Sequence, residues 1–213
     1  MEINWLGHSC FRLKGKSGTV ITDPYDGGVE YNLGKVSANI VTLSHDHPGH
    51  NHAGGVGGEF KTITGPGEYE ISGIFVYGVR TYHDKEKGKE RGKNTSFLIE
   101  IDDVKVCHLG DLGHVPSAGQ VEDISDADVL LIPVGGASTI DSSEAVQIIS
   151  LISPTFVIPM HYKTEAVSRE LDPIDKFLKE MGIKEATPVP RLTINKSTMP
   201  IDMQTVVLDY SQG

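Results

Sequence analysis

The chain has 213 residues and a formal net charge of −10, from 29 acidic and 19 basic side chains. This length suits one domain with a substantial buried core. An acidic chain disfavours binding to nucleic acid or to an anionic membrane. The longest apolar runs, such as Val129–Val134, are far too short to cross a bilayer. We therefore expect a small-molecule partner, with no nucleic acid and no membrane.

The N-terminus and the cysteines bear on the cellular compartment. Residues Met1–Trp5 contain neither the basic segment nor the long apolar segment of a signal peptide. Cys10 and Cys107 lie inside strand-like patterns and outside any Cys-x-x-Cys pair, so we expect buried, reduced thiols. Both observations predict a cytoplasmic protein.

Short β-rich runs dominate the first half of the chain, separated by turn-forming residues. In chain order the predicted strands are Ile3–Leu6, Ser9–Leu13, Thr19–Thr22, Asn39–Leu43, Phe60–Thr64, Ile74–Thr81, Ser96–Ile101 and Val104–Leu109. Asp102 and Asp103, between the last two, predict a tight hairpin. Asp84–Lys93 is charged and contains glycine, so it is predicted to be a solvated loop.

The second half of the chain alternates strands with helices. The predicted elements are the strands Asp128–Val134, Phe156–Met160 and Gln204–Leu208, and the helices Ser142–Ile152 and Ile174–Met181. Asp141 and Glu144 form a candidate capping box for the first helix, and Gly182 can end the second. We therefore expect an α/β (α+β) chain, with sheets covered by helices, that forms one domain over 1–213.

Three histidines, His45, His47 and His50, follow the predicted strand Asn39–Leu43 at positions i, i+2 and i+5. Neutral imidazole is the commonest metal ligand, so a His-x-His-x-x-His cluster at a strand end predicts a divalent metal site. Pro48 suits the first position of a helix, which would place His50 one turn inside that helix.

Other candidate ligands also stand where predicted strands end. Asp111 and His161 follow the strands that end at Leu109 and Met160, and His83 follows Ile74–Thr81. A catalytic site of the zinc type needs several nitrogen and oxygen ligands and one position open to water. Side chains from several strand ends can supply such a set.

A series of short motifs runs along most of the chain. They are Trp5–Phe11, Thr22–Pro24, the histidine cluster, Gly65–Glu70, Tyr82–Asp84, Arg91–Thr95, His108–Asp111 and Pro159–His161. In this order they resemble the metallo-β-lactamase superfamily, in particular a small prokaryotic branch similar to L-ascorbate-6-phosphate lactonases. The resemblance implies a four-layer αββα sandwich, with metals at one edge between the two sheets.

The resemblance also implies a set of metal ligands. His45, His47 and His83 would hold a first metal, Asp111 would bridge two metals, and His50 with His161 would serve the second. The superfamily motif usually reads His-x-His-x-Asp-His, but the aspartate position here is Gly49. Because glycine has no ligating atom, we expect a weakened or absent second metal, and one or two ions of zinc or manganese per chain. Glu68 and His52 are candidate substitutes.

These observations lead to the hypothesis of a metal-dependent hydrolase. Metal-activated water would attack a carbonyl or phosphorus centre of a small, anionic ester, lactone or phosphoester. Asp111 would be a catalytic residue that orients the water and accepts its proton. His8 is the second candidate catalytic residue, as a proton donor or an orienting group, unless it is a structural histidine beside the site. Asp23 is a candidate acceptor for a ligand imidazole, unless it only serves the turn before Pro24.

Alternative interpretations remain at this point. Gly49 supports a degenerate, non-catalytic member of the fold that binds metal or ligand without turnover. A nucleic-acid phosphodiesterase is disfavoured by the net charge of −10. The basic residues of Asp84–Lys93 would attract an anionic substrate or merely keep a hairpin tip soluble. A homo-oligomer is a reasonable expectation, because symmetric assembly is common.

Overall fold

The computed structural model describes residues 1–26 and 29–210, and its largest features are two β-sheets. The first sheet has six strands, which in spatial order are β14 (Leu192–Thr193), β1 (Glu2–Gly7), β2 (Cys10–Lys14), β3 (Thr19–Thr22), β5 (Ile40–Thr42) and β7 (Lys61–Ile63). Strands β1, β2 and β3 are antiparallel neighbours, and β3, β5 and β7 run parallel.

The second sheet has seven strands. In spatial order they are β15 (Gln204–Thr205), β13 (Phe156–Met160), β12 (Val129–Pro133), β11 (Val104–His108), β10 (Lys93–Ile101), β9 (Ile74–Tyr82) and β8 (Gly67–Ile71). Strands β11, β12, β13 and β15 are parallel, whereas β8 to β11 alternate in direction. A separate parallel pair joins β4 (Val36–Ser37) to β6 (Val56–Gly57).

Three α-helices accompany the second sheet: α1 (Ala118–Ile124), α2 (Ser142–Ile152) and α3 (Ile174–Glu180). The capping box predicted for α2 is confirmed, since Asp141 accepts a hydrogen bond from the Glu144 amide and the Glu144 side chain bonds back. The predicted apolar face of α2 is buried in the main core, at Ala145, Ile148, Ile149 and Ile152.

Two hydrophobic clusters lie on the two faces of the first sheet. Ile3, Phe11 and Val20 belong to the main core, which also contains Phe97 and Ile99 of the second sheet. The alternating side chains Cys10, Ile21 and Val41 belong to a second cluster, which includes loop residues such as Leu33 and no residue of the three helices. The predicted mixed α/β class is confirmed.

Every predicted strand is present, with ends that differ by no more than three residues, and Asp102 and Asp103 form the predicted hairpin turn with positive φ angles of 51° and 64°. The sequence did not predict β8, because this exposed strand is rich in Gly and Glu. It did not predict α1, which buries only Ile124. The expected helix after Pro48 was wrong: a turn follows, closed by the His50 amide on the His47 carbonyl.

Candidate metal centre

The candidate site lies at one edge of the two facing sheets. Strands β1, β3 and β5 of the first sheet run in one direction, and so do β9, β11 and β13 of the second. Each of the six strands is followed within three residues by a buried or largely buried polar side chain: His8, Asp23, His45, His83, Asp111 and His161. The carboxyl ends of these strands therefore deliver the candidate ligands to one place.

Asp111 is the centre of this cluster. Its Oδ2 atom lies 3.2 Å from His50 Nε2 and 3.5 Å from the Nε2 atoms of both His83 and His161. His45 Nε2 is 4.0 Å from the same oxygen. Four imidazoles from three separate parts of the chain thus point the same nitrogen at one carboxylate oxygen.

A second buried carboxylate, Asp23, orients two of these rings. Its Oδ2 accepts hydrogen bonds from His50 Nδ1, at 2.9 Å, and from Ser44 Oγ, at 2.5 Å. Because the Ser44 hydroxyl donates to Asp23, it accepts from His45 Nδ1 at 2.9 Å. The predicted role of Asp23 as an acceptor for an imidazole is therefore confirmed, and Ser44 extends that role to His45.

Because His45 Nδ1 carries the proton that it donates to Ser44, its Nε2 atom is unprotonated and has a free lone pair. Within the described part of the chain this buried Nε2 atom makes no hydrogen bond, although it faces the Asp111 carboxylate. Two acceptors that face each other in a buried site are unfavourable unless a cation or a hydrogen-bond donor lies between them. The donor set of imidazole nitrogens and one carboxylate matches zinc and other first-row divalent metals, so these residues fit a metal.

Three overlapping groups of side chains bring their ligand atoms within 4.8 Å of one another: His45, His83 and Asp111; His45, His47 and His50; and His8, His50 and His161. All six sequence-predicted ligands belong to at least one group. His8 is also a member, although the sequence suggested a proton-transfer role for it.

The charges of Asp111, His45 and His8 suit a bound cation, whereas His50 has to release a proton before its Nε2 atom can bind a metal. Burial alone would raise the pKa of Asp111, but the imidazoles of His161 and His50 hold it well below its usual range. Burial alone would lower the pKa of His50, but the carboxylates of Asp111 and Asp23 raise it to about 10. Burial lowers the pKa of His45 to about 4 and lowers that of His8 well below its usual value. His45 and His8 are therefore neutral imidazoles near pH 7.

Two polar residues that the sequence did not single out hold Asp111 in place. Asn94 Oδ1 accepts from the Asp111 amide at 3.1 Å, and Ser9 Oγ donates to Asp111 Oδ1 at 3.4 Å. Gly110, with φ of 59°, precedes Asp111, and a Cβ there would come within 2.5 Å of Asn94 Oδ1. The sequence signal that could have found them is a polar Ser or Asn at or just before the start of a predicted strand, as for Ser9 and Asn94.

Several other histidines and carboxylates lie outside the three groups. Glu68 and His52, the suggested substitutes for the missing aspartate, are exposed. Asp46 is exposed and accepts a hydrogen bond from Asn51. His108 is fully buried and its Nε2 atom bonds the Ser9 carbonyl at 2.8 Å, which agrees with a structural role.

A cavity of about 520 Å³ opens beside His45. Three cationic side chains line it, Arg80, Arg91 and Lys93, against one carboxylate, Asp46. Arg80 of β9 lies opposite Thr95 of β10, and Lys93 of β10 lies opposite Tyr82 of β9. Directly opposed side chains and side chains two positions apart share a face of the sheet, so Arg80 and Lys93 project from the same face. This wall of the site is electropositive although the whole chain is acidic.

Comparison with known proteins identifies the class. The protein-family model that describes the beta-lactamase superfamily domain matches residues 2–161 of this chain. A proposed Zn-dependent hydrolase of the metallo-beta-lactamase superfamily from Thermotoga maritima superimposes with a TM-score of 0.82, at 39% identity over 97% of both chains. The chain therefore belongs to the metallo-beta-lactamase superfamily, and the predicted metallo-β-lactamase type of fold is confirmed.

Two archaeal relatives refine this assignment. A UPF0173 protein of Pyrococcus abyssi is 31% identical over 80% of this chain and 90% of its own length. A UPF0173 metal-dependent hydrolase of Methanoculleus marisnigri is also 31% identical, over 80% of this chain and 84% of its own. The prediction of a metal-dependent hydrolase of this superfamily is confirmed at this level. Within the described residues, no helix is long and apolar enough to span a membrane.

Proposed function

We propose that this protein hydrolyses a small anionic ester, lactone or phosphoester with water activated by zinc or manganese. The observation that carries the proposal is the convergence of four imidazole Nε2 atoms, from His45, His50, His83 and His161, on Asp111 Oδ2. A divalent cation held by such a set polarises the scissile group and makes water nucleophilic at neutral pH.

Under this proposal the residues have distinct roles. His45, His47 and His83 hold one cation, His50 and His161 serve a second position, and Asp111 lies between the two. The lowered pKa of Asp111 keeps its carboxylate ionised, which suits metal binding and the orientation of water better than storage of a proton. The protein would act as one domain in the cytoplasm on a small molecule.

The charged cavity supports an anionic substrate. Arg80, Arg91 and Lys93 line the cavity that includes His45, so an anionic group placed there would leave the reacting bond beside the cluster. A guanidinium offers paired donors to a carboxylate or phosphate, and each charge-assisted hydrogen bond contributes about 1.5–3 kcal/mol.

The test is a substrate panel with metal-loaded protein. The panel pairs phosphorylated or carboxylated lactones and esters with uncharged analogues of the same ring or chain, and adds phosphomonoesters and phosphodiesters. We expect metal-dependent turnover that favours the anionic member of a pair. Arg91→Ala with Lys93→Ala should raise KM for that substrate by about tenfold or more and leave the uncharged analogue unaffected.

Two controls accompany the panel. Lys87→Ala removes a cation of the same loop that does not line the cavity, and its KM should match the wild type. Asp111→Asn should abolish turnover. A protein that binds metal tightly but hydrolyses nothing in the panel would favour the non-catalytic alternative, for which Gly49 is the specific observation.

A further inference from the structure

Gly49 stands where the superfamily motif has an aspartate, and the structure shows what fills the adjoining space. A Cβ atom built on Gly49 would lie 3.1 Å from His8 Nε2 and 3.0 Å from Val29 Cγ1. Both separations are shorter than ordinary contacts of a Cβ atom. The imidazole of His8 therefore occupies the space into which an aspartate side chain at position 49 would extend.

His8 is also placed as a ligand would be. Its Nε2 atom lies 3.1 Å from His50 Nε2, its ring centroid lies 4.5 Å from that of His161, and the ligand atoms of the three histidines lie within 4.8 Å of one another. Two nitrogens bound to one tetrahedral zinc at 2.0–2.1 Å are separated by about 3.3 Å. The spacing of His8 and His50 is close to this value.

The backbone holds His8 in this position. Its carbonyl accepts hydrogen bonds from the Trp5 indole, at 2.9 Å, and from the His161 amide, at 3.3 Å. The side chain is buried, and the residue adopts a φ of 54° in the turn between β1 and β2. The same turn thus ties His8 directly to His161, another member of the cluster.

We infer that His8 replaces the missing aspartate as a ligand of the second metal, together with His50, His161 and Asp111. The inference rests on the proposed function, since it assumes a two-metal site. It makes His8 and Gly49 a matched pair: a histidine at position 8 needs the space that glycine leaves at position 49.

The test measures zinc per chain by elemental mass spectrometry after dialysis against zinc, together with the second-site affinity by chelator competition. His8→Asn is the informative variant, because Asn tolerates the positive φ and its side chain stops short of the Nε2 position. We expect about two zinc ions in the wild type and about one in His8→Asn, with second-site affinity at least about tenfold lower. His52→Asn, an exposed histidine outside the cluster, should match the wild type.

A double variant tests the pairing of the two positions. His8→Asn with Gly49→Asp supplies the carboxylate and vacates the space for it, so the second zinc should return. Gly49→Asp alone should weaken the second site, because the new side chain meets His8 and Val29 at about 3 Å. Circular dichroism and the retained first zinc verify folding.

The results separate the two proposals. If His8→Asn keeps both zinc ions at wild-type affinity, or if the wild type itself binds only one, His8 is not a ligand, while the first site and the proposed function stand. If the wild type binds no zinc, the proposed function fails as well. Should His8→Asn not fold, anomalous diffraction from zinc-soaked wild-type crystals decides: the second zinc must lie about 2.0–2.1 Å from His8 Nε2.

Discussion

At the scale of single residues, two buried carboxylates organise the histidines from opposite ends of their rings. Asp23 bonds the Nδ1 atom of His50, and Asp111 faces the Nε2 atom of the same ring. This arrangement raises the pKa of His50 to about 10 and fixes the ring in one orientation. A carboxylate behind a ligand imidazole both orients the ring and increases its basicity.

Asp23→Asn is therefore expected to weaken metal binding without touching a proposed ligand. The carboxylate accepts hydrogen bonds on both oxygens, from the Ser44 amide on Oδ1 and from Ser44 Oγ and His50 Nδ1 on Oδ2. An amide has only one acceptor oxygen, so at least one of these buried donors loses its partner. We expect metal affinity to fall about 10- to 100-fold and the free energy of unfolding to fall by about 1–3 kcal/mol. Chelator competition and urea denaturation measure the two quantities.

Asp46→Asn is the matched control for this variant. Asp46 lies in the same histidine segment but is exposed and bonds Asn51. Its replacement should change metal affinity by less than about twofold, because exposed charges contribute little. Equal losses in the two variants would mean that Asp23 acts only through general electrostatics.

At the scale of elements, the loop between β9 and β10 is built around Asp84. The two oxygens of this buried carboxylate accept hydrogen bonds from the backbone amides of Glu86, Gly88, Glu90 and Arg91, at 2.7–3.0 Å. The loop was predicted to be solvated, and most of its side chains are exposed. Its backbone, however, is gathered around one side chain immediately after His83.

The stability of this loop should depend on pH. Burial alone would raise the pKa of Asp84, but the backbone donors, Arg91 and Gly88 first among them, lower it to about 2. A folded pKa below the unfolded value of about 3.9 stabilises the loop above about pH 5, and this contribution disappears as the pH falls towards 2. Amide hydrogen exchange of the four donors, corrected for intrinsic rates, should accelerate over that range.

Asp84→Asn should reproduce this loss of protection at pH 7, because a neutral amide oxygen is a weaker acceptor and cannot replace both carboxylate oxygens. Glu86→Gln, which neutralises an exposed carboxylate of the same loop, should leave exchange unchanged. Protection in Asp84→Asn that equals the wild type would show that other contacts hold the loop.

At the scale of the whole molecule, the candidate site lies between the two sheets and takes residues from both. Its candidate ligands come from both, with His8, His45, His47 and His50 following strands of the first sheet, and His83, Asp111 and His161 following strands of the second. A cation bound there would link the sheets in the folded state and have no comparable site in the unfolded chain. Metal binding should therefore stabilise the whole fold.

Removal of metal is expected to lower the melting temperature. A ligand present at a hundred times its Kd contributes about 2.7 kcal/mol, and about 1 kcal/mol shifts Tm by 2–4 °C in a chain of this size. Treatment with a chelator should thus lower Tm by about 5–10 °C in a thermal scan, and restored zinc should reverse the change. In Asp111→Asn the chelator should have little effect. A wild-type Tm that is indifferent to the chelator would contradict a metal shared between the sheets.

Much of the fold could be predicted from the sequence because its elements have strong local patterns. Strands such as Thr19–Thr22 and Phe156–Met160 were predicted at their observed bounds, and the cap of α2 follows from Asp141 and Glu144. The exposed strand β8 and the short helix α1 bury few side chains, so no periodic pattern of apolar residues predicts them. Pro48 was misleading because a favourable first position does not ensure that a helix continues.

The sequence by itself determined which candidate ligands follow the strand ends: the histidine cluster, Asp111, His83 and His161. Only the tertiary structure decided which of these side chains meet, because the common direction of β1, β3, β5, β9, β11 and β13 brings distant strand ends to one edge. It also decided what lies next to Gly49. The glycine is visible in the sequence, but the imidazole beside it belongs to His8, 41 positions earlier in the chain. The pairing of strands in the first sheet, which no local periodicity encodes, places His8 and Gly49 side by side.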